Sequence, residues 1–451
     1  MRPKFSGSFL LLFLLVFTQT LHARTNARTN PETLALKAVS ENSAESAPAI
    51  AELRALGPAG LNALFQSYAR EINEQVSNPL LAATPQWQRL SAALDSVSQQ
   101  KDNYLSGLYW YTDFDQAKAA ARAAGKPILS LRLLGKLNEE YSCANSRFFR
   151  TILYSNAEVS KMLRERFILH WQSVRPAPRV TIDFGDGRKL ERTLTGNSIH
   201  YILDSNARPV DALPGLYGPA AFMRSLAQME EVSKHWGEQP PADGSRRPYW
   251  AYHPVSLQKL TLDWLADTEK IGGRHPQGFV VKRSENGTPQ ALEIASLAVT
   301  KMVTEVEMLR RMTAGSEALG TITDEAAWNK IALLHIADAQ LDARSIGLIR
   351  RQTQKAFQTS GSKSTADKTL QNLVQKLQMN IALDTVRNEY LMHTKLYAWL
   401  VADRNRFDRI DLDALNKRVY AELFLTPASD PWLGLFSPET YMALEGGGIS
   451  R

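Results

Sequence analysis

The stretch that indicates the fold most clearly is Gly125-Lys126-Pro127-Ile128-Leu129-Ser130-Leu131-Arg132-Leu133-Leu134. It begins with a glycine that ends a helix and continues as a nearly uninterrupted apolar run from Pro127. Upstream of it, Asp115 to Ala124 is an alanine-rich stretch with helical character, which Gly125 ends. An apolar run without polar alternation is typical of a strand whose two faces are both covered. The sequence therefore predicts a sheet buried between helices, which is an α/β arrangement.

Helical and strand-like segments continue to alternate after this strand. The Gly185-Asp186-Gly187 sequence lies between strand-like stretches and indicates a β-hairpin. The predicted elements are, in order, helices over 142–154 and 156–167, a strand over 168–171, the hairpin over 180–193, strands over 199–203 and 209–213, and a helix after Pro219.

Three short segments in this region resemble characteristic parts of thioredoxin-like proteins. Gly125-Lys126-Pro127 is similar to the start of their first core strand, and the chain's one cysteine falls where that family places its Cys-x-x-Cys. The third segment leads into the next strand and resembles the family's Gly-Thr-Pro-Thr. The segment at the Cys-x-x-Cys position is Cys143-Ala144-Asn145-Ser146, and the segment that resembles Gly-Thr-Pro-Thr begins with Gly196-Asn197-Ser198. The resemblance implies an α/β thioredoxin-like domain over residues 106–236, flanked by all-α helical regions.

The resemblance also implies a site at Cys143, Ser146 and Ser198, with two departures from the family pattern. Ser146 occupies the position of the second cysteine, and Ser198 occupies the position of the cis-proline beside the active-site sulfur. A dithiol reaction needs one thiolate to attack and a second thiol to release the mixed disulfide. Because Cys143 is the only cysteine, the chain supplies no second thiol.

Two interpretations of Cys143 stay open on sequence alone. A thiol at a helix N-terminus meets the positive end of the helix dipole, which favours a reactive thiolate, and Ser146 is placed to donate a hydrogen bond to it. The alternative is a small buried residue that packs like any other apolar side chain.

The N-terminus is typical of a signal peptide over residues 1–23. Positive charge at Arg2 and Lys4 precedes an apolar run, Phe9 to Phe17, and Ala23 suits cleavage. We therefore expect a periplasmic or secreted protein with no stable membrane span after cleavage; an uncleaved anchor is the alternative. With a single cysteine, no internal disulfide can form.

The regions on either side of the α/β domain are predicted to be helical. Residues 24–105 carry two amphipathic helices around Gly57-Pro58 that resemble a HEAT-type hairpin. Residues 237–289 are rich in proline and glycine and are predicted to be a linker with one short helix at 257–268. Residues 290–451 are predicted to form a helical bundle, in which 365–401 can be one long helix. This part and the run from Asp430 to Gly434 resemble uncharacterised secreted bacterial proteins with a central thioredoxin-like domain.

Other chemistry has weak support in the sequence. The net charge of +7 is dispersed and is not interleaved with stacking aromatic residues, so we predict no nucleic-acid partner. No phosphate loop or Gly-x-Ser-x-Gly segment is present, and no cofactor is predicted. His170 and His200 lie on strands expected to be neighbours, but a metal site needs three or four convergent ligands, so we predict no metal site.

Three hypotheses about function follow. The first is a non-catalytic or monothiol thioredoxin-like module that binds a protein partner or thiol client in the cell envelope. The second is a single-cysteine thiol-disulfide oxidoreductase or isomerase that uses an external resolving thiol. The third is an envelope scaffold that acts through its helical bundle.

Overall fold

The computed structural model describes residues 30–237, 247–276, 278, 291–295, 297–312, 325–359, 366–402, 411–436, 443–445 and 449. The predicted signal peptide and most of the predicted linker outside 247–276 lie beyond these ranges.

A mixed five-stranded sheet lies at the centre of the described chain. Its strand order is β1-β3-β2-β6-β7, and β4 and β5 form a separate hairpin. Strands β1, β3 and β2 run parallel, whereas β6 is antiparallel to β2 and to β7. The strands are β1 Trp110–Tyr111, β2 Ile128–Leu134, β3 Ile168–Arg175, β4 Arg179–Asp183, β5 Lys189–Thr193, β6 Ile199–Leu203 and β7 Pro209–Pro214, followed by a two-residue parallel pair, β8 Trp236–Gly237 and β9 Arg247–Pro248.

The strand predicted from the apolar run is the middle strand of this sheet. All residues of β2 are buried, because strands cover its two edges and other elements cover its two faces. Ser130 pairs with His170 on β3 and with Tyr201 on β6. The α/β prediction is confirmed at this level.

Helices surround the sheet. Those before and within the sheet region are α1 Pro31–Ala38, α2 Ser43–Ala55, α3 Pro58–Ser67, α4 Ala69–Ser77, α5 Pro85–Ser98, α6 Phe114–Ala124, α7 Ala144–Phe148, α8 Ala157–Arg166 and α9 Pro219–His235. Those after it are α10 Tyr249–Lys270, α11 Ala291–Ala295, α12 Val299–Met312, α13 Glu325–Leu334, α14 Ala343–Thr359, α15 Ala366–Arg387, α16 Thr394–Ala402 and α17 Leu412–Arg418.

Sequence signals account for several helix ends. The Asp113 side chain accepts from the Gln116 backbone N–H and begins α6, and Gly125 ends it at φ +63°. Between α2 and α3, Gly57 takes φ +68°, and Gly60 lets the backbone of α3 approach the Leu53 carbonyl. The two helices predicted around Gly57-Pro58 therefore pack closely.

The N-terminal helices form a second core, which includes Leu53, Leu64 and Leu94 and to which Leu348 of α14 also belongs. Polar contacts join this core to the sheet. The Arg54 guanidinium donates to the Trp110 carbonyl over 2.6 Å, and the Trp171 indole donates to the Gln99 carbonyl over 2.8 Å. The aromatic residues near β1 and β3 thus fix the sheet against the N-terminal helices.

The long helix predicted over 365–401 is present as α15 and α16, which a π-helical stretch, Asn388–His393, joins. The short helix expected at 257–268 is longer than predicted: α10 begins at Tyr249 and continues through Pro254. It packs against α16 and buries His253, whose imidazole contacts the Val210 carbonyl on β7. This part of the predicted linker is consequently part of the folded structure.

None of the described helices combines the length and the apolar character that a bilayer crossing requires.

Gly218 provides a test of how the sheet and the later helices fit together. Its N–H donates to the Thr385 hydroxyl over 2.8 Å, and an added Cβ would collide with the Asp338 carbonyl. We expect Gly218→Ala to lower the free energy of unfolding by about 3 kcal/mol, because the backbone of Asp338 and Ala339 occupies the space that the added Cβ needs. The measurement is the urea midpoint of the full chain.

The matched control is Gly185→Ala in the exposed hairpin, where an added Cβ meets nothing but φ is +75°. It should cost only about 1 kcal/mol, from the left-handed backbone. Equal losses in the two variants would contradict the proposed close contact.

Candidate functional site

Cys143 lies at the end of the loop that follows β2 and is the N-cap residue of α7. Its backbone N–H donates to the Leu134 carbonyl over 3.1 Å, and its carbonyl accepts from the Arg147 N–H. The side chain belongs to the main apolar core and has no exposed surface. The thiol therefore lies at the start of a helix but inside the protein.

The structure brings all three predicted site residues together. The Cys143 sulfur is 3.0 Å from the Ser198 Oγ and 3.4 Å from the Ser146 Oγ. The sequence predicts that Ser146 donates a hydrogen bond to a Cys143 thiolate. Its hydroxyl instead donates to the Cys143 carbonyl over 2.8 Å, because a serine in the first helical turn can satisfy that carbonyl.

This hydrogen-bond pattern suits a protonated thiol. With the Ser146 proton already used, the Ser146 oxygen accepts from the Cys143 S–H. Only the Ser198 hydroxyl is then left to donate toward the sulfur. Among the described residues, the Ser198 hydroxyl would then be the one hydrogen-bond donor to a thiolate, which is the nucleophilic form, and the sulfur has no exposed surface for water.

The loop before β6 positions Ser198. Gly196 takes φ +107°, and an added Cβ there would lie 2.6 Å from Leu134 Cδ2. The Ser198 carbonyl accepts from the Gly215 N–H over 2.9 Å, next to the end of β7. No cis peptide occurs among the described residues, so Ser198 follows a trans bond.

The C-terminal segment, residues 411–436, forms hydrogen bonds with this loop and with the strands beside it. The Tyr420 hydroxyl donates to the Asn197 carbonyl over 2.9 Å, immediately before Ser198. Tyr201 on β6 donates to the Asn416 side chain over 3.2 Å. Arg175 at the end of β3 donates to the Thr426 carbonyl over 2.9 Å and to the Asp430 carbonyl over 3.1 Å.

Tyr420 is well suited to this position. Burial raises the pKa of its phenol well above the usual value, so the group stays a donor at every physiological pH. It lies in a π-helical stretch, Val419–Leu423, that follows α17, and its ring packs edge-on against Phe424 at 5.3 Å. Sequence reasoning missed Tyr420, because nothing local marks a residue so distant along the chain as a neighbour of Cys143.

The two strand histidines are separated rather than adjacent. Strand β2 lies between β3 and β6, so the prediction that His170 and His200 occupy neighbouring strands is wrong. His170 bonds to the Ser130 hydroxyl at 2.8 Å, and His200 bonds to the Tyr154 hydroxyl at 2.6 Å. Burial lowers the pKa of each imidazole to about 3, so both are neutral packing groups.

A second polar cluster lies where the sheet meets the later helices. Asp211 on β7 accepts from Tyr397 over 2.5 Å and contacts His393 at 2.7 Å. Nearby, Asp267 accepts from Tyr390 and contacts His335, each at 2.6 Å. Hydrogen bonds to acidic neighbours raise the pKa of His335 to about 8. Because these carboxylates are already paired, the cluster joins elements rather than forming an open site.

Groups of three or more histidine, cysteine or acidic side chains arranged to hold a metal ion are absent from the described part of the chain. Comparison of the sequence and structure with protein-family models, curated proteins and solved structures finds no match. The residues and contacts of the chain itself are therefore the basis for assigning a function.

The contact between Tyr420 and Asn197 predicts how the thiol becomes accessible. We expect Tyr420→Ala to speed labelling of Cys143 by a thiol probe by more than about tenfold, because it removes both the hydrogen bond and the covering ring. Tyr420→Phe keeps the ring and should stay close to the wild-type rate. The measurement is the labelling rate of each folded variant, compared with its own rate of global unfolding.

If Tyr420→Ala is labelled at the wild-type rate, the C-terminal segment does not cover the thiol.

Proposed function

We propose that this protein is an exported, non-catalytic thioredoxin-like module that binds a protein partner in the cell envelope. Residues 106–236 would form the thioredoxin-like domain, and the helical regions would be fixed parts of the same binding unit. The N-terminal pattern of charge, apolar run and small residue supports export.

The strand arrangement supports the proposed domain. A cysteine follows the middle strand at the start of a helix, and the sheet has three parallel strands and two antiparallel ones, in the succession that the resemblance implies. The inserted hairpin of β4 and β5 and the trans bond before Ser198 are features of this chain.

The burial and the hydrogen bonding of Cys143 are the main support for this proposal. The sulfur has no exposed surface, accepts at most one hydroxyl donor and lies under a loop that the C-terminal segment covers. Attack on a disulfide needs a thiolate with access to the other sulfur. Since the chain supplies neither access nor a resolving thiol, binding fits the geometry better than turnover.

An oxidoreductase would need the protein to open and expose Cys143, and the hydrogen bond from Tyr420 to the Asn197 carbonyl opposes such an opening. The scaffold hypothesis needs a bundle that acts by itself, but Asp211 on the sheet is bonded to His393 and Tyr397 of the bundle inside a buried interface. We therefore treat the sheet and the bundle as one binding unit.

Replacement of the thiol separates binding from redox chemistry. Tagged full-length wild type and Cys143→Ala would be isolated from the envelope fraction after thiols are trapped by alkylation. We expect both to retain the same partner, because the sulfur contacts only internal groups. We expect no mixed disulfide on Cys143.

Cys143→Ser is the matched control, since it keeps a hydrogen-bonding group beside Ser198. A wild-type mixed disulfide that disappears in both variants, together with loss of the partner, would favour the oxidoreductase instead.

A further inference from the structure

Buried polar groups without partners gather beside Cys143. Among the residues that the structure describes, seven side chains from three parts of the fold each leave a buried polar atom without a hydrogen bond, and we call them the buried polar cluster. They are Ser142, Asn145 and Arg147 around the start of α7, Thr195 and Asn197 before β6, and Lys301 and Glu305 on α12.

Direct contacts connect these residues into one neighbourhood. The Thr195 backbone N–H donates to Glu305 over 3.0 Å, and Lys301 lies 3.5 Å from the same carboxylate oxygen. Asn145 donates to Asn197 over 3.2 Å. Arg147 donates to the Thr193 hydroxyl, which in turn donates to the Ser142 carbonyl.

The groups left over form a balanced set of donors and acceptors. The donors are the Lys301 ammonium, the Arg147 Nε–H and the Asn197 amide; the acceptors are Glu305 Oε1 and Asn145 Oδ1. Exchanging the oxygen and nitrogen of both amides still leaves one amide donor and one amide acceptor. Ser142 and Thr195 add hydroxyls that serve either role.

Buried polar atoms without partners are costly, each by about 1–3 kcal/mol. Seven such atoms on three contacting segments therefore indicate that a group besides these side chains satisfies them. Water is one candidate, but the charges in the cluster favour a negatively charged ligand. Among Arg147, Lys301 and Glu305, one positive charge is in excess: Lys301 is wholly buried and ion-paired with Glu305, and Arg147 is half-buried.

We propose that the buried polar cluster is a binding site for a small singly charged oxyanion that carries its own O–H donor, such as a hydroxycarboxylate. The negative charge offsets the excess positive charge, and its oxygens accept from Lys301, Arg147 and Asn197. The hydroxyl donates to Glu305 or Asn145. An anion without a donor leaves those acceptors unsatisfied and binds more weakly.

The site is adjacent to the thiol but makes no use of it. Asn197 contributes its side chain to the cluster and its carbonyl to Tyr420, so an occupied site also stabilises the loop that covers Cys143. The ligand acts as an internal stabilising group, and its binding does not require the proposed protein partner.

Ligand-dependent stability is the test. The unfolding midpoint of the full chain would be measured in chloride, acetate, glycolate and phosphate at fixed pH and ionic strength. We expect glycolate to raise the midpoint by at least about 2 °C over chloride and by more than acetate does. Phosphate, which also carries a hydroxyl, distinguishes a general oxyanion site from one that selects carboxylates.

Lys301→Met should abolish the glycolate response, whereas Lys376→Met, on the exposed face of α15, should retain it. Equilibrium dialysis of the wild type with labelled glycolate gives an answer even if Lys301→Met does not fold, and one bound glycolate per chain is expected. Equal midpoints in all four anions, an unchanged response in Lys301→Met, or no bound glycolate would mean that water alone occupies the cluster.

Discussion

The hydrogen bond from the Tyr420 hydroxyl to the Asn197 carbonyl connects the last part of the chain to the loop that positions Ser198. This loop contains a left-handed Thr195 at φ +53° and Gly196 at φ +107°, and Glu305 and Asn145 also bind it. The left-handed backbone conformation costs free energy at a threonine, and it persists only when neighbouring groups hold it in place. The packing of the C-terminal segment, through Tyr420, Asn416 and the carbonyls that Arg175 binds, provides such surroundings.

The chemistry available to Cys143 follows from that coverage. A thiol gains reactivity from access and from groups that stabilise its thiolate. Here the helix start is present, but Ser146 gives its proton to a carbonyl and the sulfur lies in the apolar core. The same location that suggests redox chemistry in the sequence is therefore a packed junction between the sheet, α7 and the C-terminal segment.

Local patterns predicted the sheet well and the site only in part. The apolar run gave β2, the hairpin glycines gave the β4–β5 turn, and residues 199–203 form a strand with those bounds. The sequence also identified Cys143, Ser146 and Ser198, which the fold brings within hydrogen-bonding distance. The hydrogen bond that Ser146 donates depends on the position of a backbone carbonyl. The strand order depends on which edge of the sheet β6 joins, and the role of Tyr420 depends on tertiary packing. None of these leaves a periodic or motif-like signal in the sequence.

The central claim is that the native fold keeps the Cys143 thiol from solvent. It is tested most directly by labelling wild-type Cys143 with a thiol probe at increasing denaturant and comparing the rates with the fully unfolded chain. We predict native protection of at least about a thousandfold, equivalent to about 4 kcal/mol of opening free energy, that falls as denaturant exposes buried surface. Native labelling at the rate of the unfolded chain would contradict the account.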